Sequence, residues 1–340
     1  MWQVIGQTRA VFLLQHGLEN GFPAHAYLFV GPEHIGKMTV ALNLAMALNC
    51  EAAEPPCLEC SSCKRIAAGN HTDVQIIGLT QNEEEDTEFK VIRTEQIKDI
   101  LHSASLPPFE GRNKVFIIDG AELLSMEASN RLLKNLEEPE SHVIFILLSV
   151  NEKKLLTTVV SRCQRIEFQP MPAAGEAAAL TEKLGIEPER ARLLAALSHG
   201  CPGWAVIAAG DENILERRNE NLDRVVSIVR ADSEERFAYV ARLATGFTQN
   251  RKAVYDVLDT WQDYWRDMML VKLDCVNLIT NIDRKDELVK MAGSYSLTRI
   301  KDFIKSIESA AVQLKQNVNT RLALEVLMLD IPKEEVTSPI

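Results

Sequence analysis

Nine residues near the N-terminus restrict the fold more than any others: Gly31-Pro32-Glu33-His34-Ile35-Gly36-Lys37-Met38-Thr39. They lie between a short apolar run, residues 27–30, and a run of good helix formers, residues 40–48. A glycine-bounded loop between strand and helix lets backbone N–H groups and the helix N-terminus wrap a phosphate, with a lysine reaching the terminal phosphates. Gly31, Gly36 and Lys37 supply that framework, with Thr39 as a further candidate contact, so ATP or ADP is the candidate ligand. The pattern also asks for Ser or Thr directly after the lysine, because that hydroxyl ligates Mg²⁺. Met38 stands there. One step along a helix turns a side chain by roughly 100°, so Thr39 does not take its place. The loop reads as one kept for architecture or for passive nucleotide binding.

The surrounding pattern gives the layers. Short runs rich in Val, Ile and Phe at residues 27–30, 74–77, 115–119, 143–148 and 165–168 alternate with helical stretches. Such alternation implies crossover units around a parallel sheet whose strands, buried on both faces, are nearly continuous in apolar residues. An α/β domain is expected over residues 1–168. Its run Val115-Phe116-Ile117-Ile118-Asp119 has the shape of a Walker B strand, ending in an acid able to hold a metal-bound water. Glu122, three residues further on, is expected to cap or solvate the helix that follows.

Pro170 and Pro172 end this pattern, and the apolar spacing beyond them is helical throughout. We expect a small helical lid domain over 169–208, a larger all-helical collar domain over 212–331 and a frayed tail over 332–340.

Seven cysteines, an odd number, argue against a disulfide framework. Four of them, Cys50, Cys57, Cys60 and Cys63, crowd into an insertion after the phosphate-loop helix, with Pro55 and Pro56 turning the chain between the first two. Four thiolates at this spacing can close a tetrahedron around Zn²⁺, which in structural sites takes four protein ligands and leaves no open position. A structural zinc is expected, with an iron–sulfur cluster or unligated thiols as the alternatives. A catalytic zinc is not expected, because all four positions would be filled and none left for water. Cys163, Cys201 and Cys275 read as small, partly buried residues.

The formal charge of −11, with an acidic cluster at Glu83, Glu84, Glu85, Asp86 and Glu88, argues against unaided binding to a polyanion. No apolar run approaches the roughly 18 residues needed to span a bilayer, and no signal peptide is visible at the start. No membrane association is expected, and the location expected is cytoplasmic.

Together the motifs resemble one family, the AAA+ subunits of bacterial clamp loaders. They are Val4-Ile5-Gly6-Gln7, the phosphate loop, the four-cysteine insertion, the stretch from Lys114 to Glu122, Leu136-Glu137-Glu138-Pro139, and Ser161-Arg162-Cys163, in that order. The resemblance covers about the first 210 residues and, weakly, the helical remainder. It implies an AAA+ P-loop domain followed by helical lid and collar domains. It also implies an arginine, Arg162, presented in trans to the ATP of a neighbouring ATPase subunit, where it stabilises charge on the transferring phosphoryl group. The implied partners are gamma/tau ATPase subunits and a delta subunit, with the sliding clamp and primer-template DNA met through the assembled complex.

In hydrolysing members of this family a glutamate that activates the attacking water follows the Walker B aspartate. Gly120 holds that position here and cannot accept a proton. The sensor-2 segment, Gly200-Cys201-Pro202-Gly203-Trp204-Ala205, supplies no arginine. Three losses on one reaction point to a non-hydrolysing member. The rival readings are an active gamma/tau-type ATPase, opposed by Met38 and Gly120, and a zinc-stabilised interaction module outside replication.

Overall fold

The computed structural model describes residues 2–79, 91–316 and 318–333. The acidic cluster at 83–88 and most of the expected tail, 334–340, lie outside the described residues. In chain order the elements are α1 (Thr8–Glu19), β1 (Ala26–Val30), α2 (Lys37–Asn49), α3 (Ser61–Ala67), β2 (Val74–Ile77), α4 (Thr94–Ala104), β3 (Lys114–Asp119), α5 (Met126–Glu137), β4 (Val143–Ser149), α6 (Thr157–Val160) and β5 (Gln164–Glu167). Helices follow without a further strand among the described residues: α7 (Ala173–Leu184), α8 (Pro188–Leu197), α9 (Pro202–Gly210), α10 (Glu212–Arg230), α11 (Ser233–Gln249), α12 (Arg251–Lys272), α13 (Lys285–Gly293), α14 (Leu297–Lys315) and α15 (Thr320–Leu329). None of these helices is long and apolar enough to cross a membrane.

The described residues divide into two units. One comprises those up to Ala179 together with Gly200–Trp204, the other Leu180–His199 together with those from Ala205 onward. The first unit carries the sheet, in which all pairs are parallel and the order is β2-β3-β4-β1-β5. Successive side chains on a strand point to opposite faces, and here both faces are buried. Tyr27, Phe29, Val115, Ile117, Ile144 and Ile146 join one apolar cluster with α1 and α2. Leu28, Phe116, Ile118, Phe145 and Leu147 join another with α4 and α5. Coverage on both sides accounts for the unbroken apolar runs of the central strands β1, β3 and β4, whereas the edge strands β2 and β5 are partly exposed.

The second unit is built around α12. Trp261, Tyr264 and Trp265 on that helix are buried against Tyr295 and Phe303, with Trp265 and Phe303 meeting edge to face at 4.7 Å between ring centroids. Buried Asp267 accepts the backbone N–H groups of Thr280 and Asn281 at 2.8 and 2.7 Å, which fixes the segment between α12 and α13. Burying a carboxylate costs heavily unless donors replace water, and these two amides do so.

Candidate nucleotide cleft, metal centre and surface arginine

In open parallel sheets ligands bind outside the carboxyl ends of the strands, where the strand order reverses. Here β1 lies between β4 and β5, so the crevice opens at the ends of β1 and β4. The phosphate loop fills that position. Gly31 donates its N–H to Ser149 O at 3.1 Å, and a Cβ on Gly31 would lie 2.7 Å from Phe168 O, so only glycine fits. Gly36 takes φ 100 just before α2, a conformation open to glycine and strained for other residues. The resulting cleft has a volume of about 980 Å³.

Lys37, Met38, Thr39 and Asp119 all border the cleft, as do Gly36, Gly120 and Glu122. Lys37 is buried, and its Nζ donates to Gly31 O and Pro32 O at 2.6 Å each, so two of its three donors are held by the loop's own carbonyls. Burial lowers its pKa, against the opposing pull of Glu122, Asp119, Glu33 and Cys201. Asp119 is shifted up, by burial first, with Lys37 opposing and Glu122 adding to the rise. Met38 packs against the apolar cluster under α2, while Thr39 is exposed on the cleft wall. Among the described lining residues the carboxylates Glu33, Asp99, Asp119 and Glu122 face a single lysine and no arginine.

Two features of the cleft escape the sequence reading. Ser149, the buried last residue of β4, lines it beside the loop, a position predictable only once β4 is placed next to β1. Glu122 does not cap the following helix as expected. Ser125 takes that role, accepting Ala128 N–H at 3.1 Å, because a 3₁₀ turn over Ala121–Leu123 intervenes. Glu122 instead accepts Val150 N–H at 3.3 Å, and its charge acts to raise the pKa of Lys37.

The sulfurs of Cys50, Cys57, Cys60 and Cys63 all lie within 4.8 Å of one another. Four sulfurs at zinc–thiolate distance from one centre would stand about 3.8 Å apart, so the cluster fits a tetrahedral metal. None of the four is in a disulfide. Backbone N–H groups already point at the sulfurs: Cys57 N to Cys50 Sγ at 3.4 Å, Cys60 N to Cys57 Sγ at 3.3 Å and Cys63 N to Cys60 Sγ at 3.4 Å. Without a metal, donation from the Cys60 and Glu59 amides lowers the Cys57 thiol to about 6, while burial pushes Cys63 up to about 12. The cluster is a site that can hold a metal ion.

Arg162 stands apart from this cleft and is not among its lining residues. It follows α6 in a turn closed by Ser161 N to Thr157 O, Arg162 N to Val159 O and Cys163 N to Val160 O. Cys163 packs its side chain against the apolar cluster of α5 and β4, and burial raises its pKa to about 12, so it anchors the turn as an inert thiol. The Arg162 side chain is left about one-third exposed.

At the start of the chain Gln7 and Gln169 exchange hydrogen bonds, Gln7 Nε2 to Gln169 O at 2.9 Å and Gln169 N to Gln7 Oε1 at 3.3 Å, clamping the segment after β5.

A family model described as DNA polymerase III, delta subunit, matches residues 6–172. The DNA polymerase III subunit delta′ of Bacillus subtilis (strain 168) is 28% identical over 327 residues, covering 95% of each chain. The subunit delta′ of Pseudomonas aeruginosa is 36% identical over 213 residues, 61% of this chain and 62% of its own. The DNA polymerase III subunit tau of Bacillus subtilis (strain 168) is 31% identical over 293 residues, 79% of this chain but only 50% of its own length. Similarity along nearly the whole of both chains is thus to a delta prime subunit, with tau sharing a part. This chain belongs to the DNA polymerase III clamp-loader family, as a subunit of the delta prime type.

Proposed function

We propose that this chain is the non-hydrolysing AAA+ subunit of its clamp loader and that it gives Arg162 in trans to the ATP site of a neighbouring gamma/tau-type subunit. The observation that carries the reading is the separation of the two cationic groups. Lys37 is closed onto its own loop inside a cleft rimmed by carboxylates, while Arg162 is held at the surface outside that cleft. An arginine placed on a neighbour's transferring phosphoryl group stabilises charge there without any chemistry in its own subunit.

The assembled machine would load a sliding clamp onto primer-template DNA, with the delta subunit and the gamma/tau subunits as partners. A charge of −11 fits a chain whose DNA contacts are shared with other subunits. Residues 1–168 would form the AAA+ domain, 169–208 the lid and 212–331 the collar that joins the subunits. Cys50, Cys57, Cys60 and Cys63 would hold a structural zinc, which supplies folding energy to the insertion.

Steady-state ATP hydrolysis tests the reading. The purified chain alone is expected to show no turnover, and the assembled loader to slow markedly when Arg162→Ala replaces the wild-type chain. Ordinary ATPase rates from the isolated chain, or unchanged loader turnover with Arg162→Ala, would sink it.

A further inference from the structure

Arg162 is not loose at the surface. Its Nη1 donates to Thr158 O at 2.9 Å and to Ser161 Oγ at 3.4 Å, and its Nη2 lies 2.6 Å from Glu137 Oε1. Thr158 and Ser161 belong to the arginine's own turn, so those contacts come with the local fold. Glu137 comes from a different element, as the last residue of α5.

A carboxylate is disfavoured at that end of a helix, because the last turn carries the negative pole of the macrodipole, and the adjoining C-cap, Glu138, adds a second negative charge. Half of the Glu137 side chain is exposed, as is a third of Arg162. Ion pairs this open to solvent add little to folding stability. Neither helix propensity nor stability therefore accounts for Glu137. What the pair does achieve is to remove rotamer freedom from a long, flexible cation. A guanidinium carries five N–H donors, more than these contacts use, so Glu137 can stay bound while an anion is met.

We infer that Glu137 is the positioning residue for Arg162, holding the guanidinium in the pose that reaches a neighbouring subunit's nucleotide. The inference rests on the trans-arginine reading above. Misplacing a reacting group by about 1 Å can cost up to about 100-fold in rate, so partial loss of a tether is expected to be visible in kcat.

The experiment measures ATP turnover by the assembled loader carrying Glu137→Ala, Glu137→Gln, Arg162→Ala or the Glu137→Ala/Arg162→Ala pair, with assembly checked by gel filtration. Glu137→Ala is expected to lower kcat about tenfold with KM for ATP unchanged. Glu137→Gln, which keeps an acceptor oxygen, is expected to recover part of the loss. The double variant should be no slower than Arg162→Ala, because the two residues act as one unit.

Wild-type kcat for Glu137→Ala beside a slow Arg162→Ala would overturn the positioning role while leaving the trans-arginine reading intact, and Glu137 would then serve only α5. A further loss in the double variant would also overturn it, since Glu137 would be acting by another route. Wild-type turnover with Arg162→Ala would remove the trans-arginine reading itself, and the positioning role with it. Should Glu137→Ala not assemble, Glu137→Gln decides alone: an intermediate kcat supports the role and a wild-type kcat overturns it.

Discussion

Gly203 donates its backbone N–H to His34 O at 2.8 Å, and a Cβ on Gly203 would stand 2.5 Å from that same oxygen. The first turn of α9 thus rests directly on the backbone of the phosphate loop, at a residue already in the left-handed region with φ 57. The obstruction is main chain on both sides and cannot rotate away. Gly203→Ala is expected to cost about 1–3 kcal/mol, the usual range for forced overpacking. For a unit of this size that lowers the thermal midpoint by about 2–4 °C per kcal/mol. An unchanged midpoint by circular dichroism would mean the loop yields freely and is not braced by α9.

Asp73 should govern part of the acid sensitivity of the first unit. Burial pulls its carboxyl pKa up, but three backbone N–H donors, from Phe109, Glu110 and Gly111 at 2.7–2.9 Å, outweigh it and hold the pKa below the ordinary 3.8. The unfolded chain then takes up this proton before the folded one does. The stability contributed is fully present above 3.8 and is lost as the pH falls from there through the depressed folded value. Asp73→Ala is expected to destabilise by about 1–3 kcal/mol or more, since it strands three donors at once. It should also flatten the loss of stability below pH 3.8 in denaturant titrations. A mutant with the wild-type acid slope would show that other carboxylates carry it.

How far the sequence could be read varied with how local the determinant is. The central strands β1, β3 and β4 are legible to within a residue at each end, because burial on both faces leaves a continuous apolar run: residues 143–148 against the observed Val143–Ser149. The cysteine cluster was legible from spacing alone. The helix α1 was not, since Phe12 and Leu13 face solvent and blur its period. The same holds for α13, where only Leu288, Met291 and Ala292 are buried. The role of Glu122 is not local, since its partner, Val150 N–H, follows the end of another strand. The contact between Glu137 and Arg162 is likewise made by two segments whose pairing exists only in the fold.

Cys60 is both a candidate ligand and the N-cap of α3, its sulfur accepting Cys63 N–H at 3.4 Å. The purified wild-type chain is expected to hold about one zinc ion per molecule, the number a single tetrahedral four-thiolate site accepts. Cys60→Ser should lose most of it by atomic absorption, with faster proteolysis across residues 50–63, because binding energy at such sites is folding energy. A mutant that keeps full zinc would count against the four-thiolate site, and an iron-type absorption spectrum in the wild-type chain would replace zinc by an iron–sulfur cluster.

Nucleotide affinity should be weak for a reason independent of catalysis. Two of the three donors of the Lys37 ammonium are held by the Gly31 and Pro32 carbonyls at 2.6 Å each, leaving one for a triphosphate, and the phosphates must enter among Glu33, Asp99, Asp119 and Glu122. A magnesium ion would offset some of that repulsion, but Met38 offers it no hydroxyl and is turned into the apolar cluster under α2. Calorimetric titration of the isolated chain with Mg·ATP is therefore expected to show no saturation up to about 1 mM, the level at which binding is worth only about 4 kcal/mol. Glu122→Gln should tighten binding by removing one of the four carboxylate charges lining the cleft, and Lys37→Ala should abolish what remains. Micromolar affinity in the wild-type chain would show that the loop opens at little cost, and would make ATP or ADP a resident ligand of a subunit that still need not hydrolyse it.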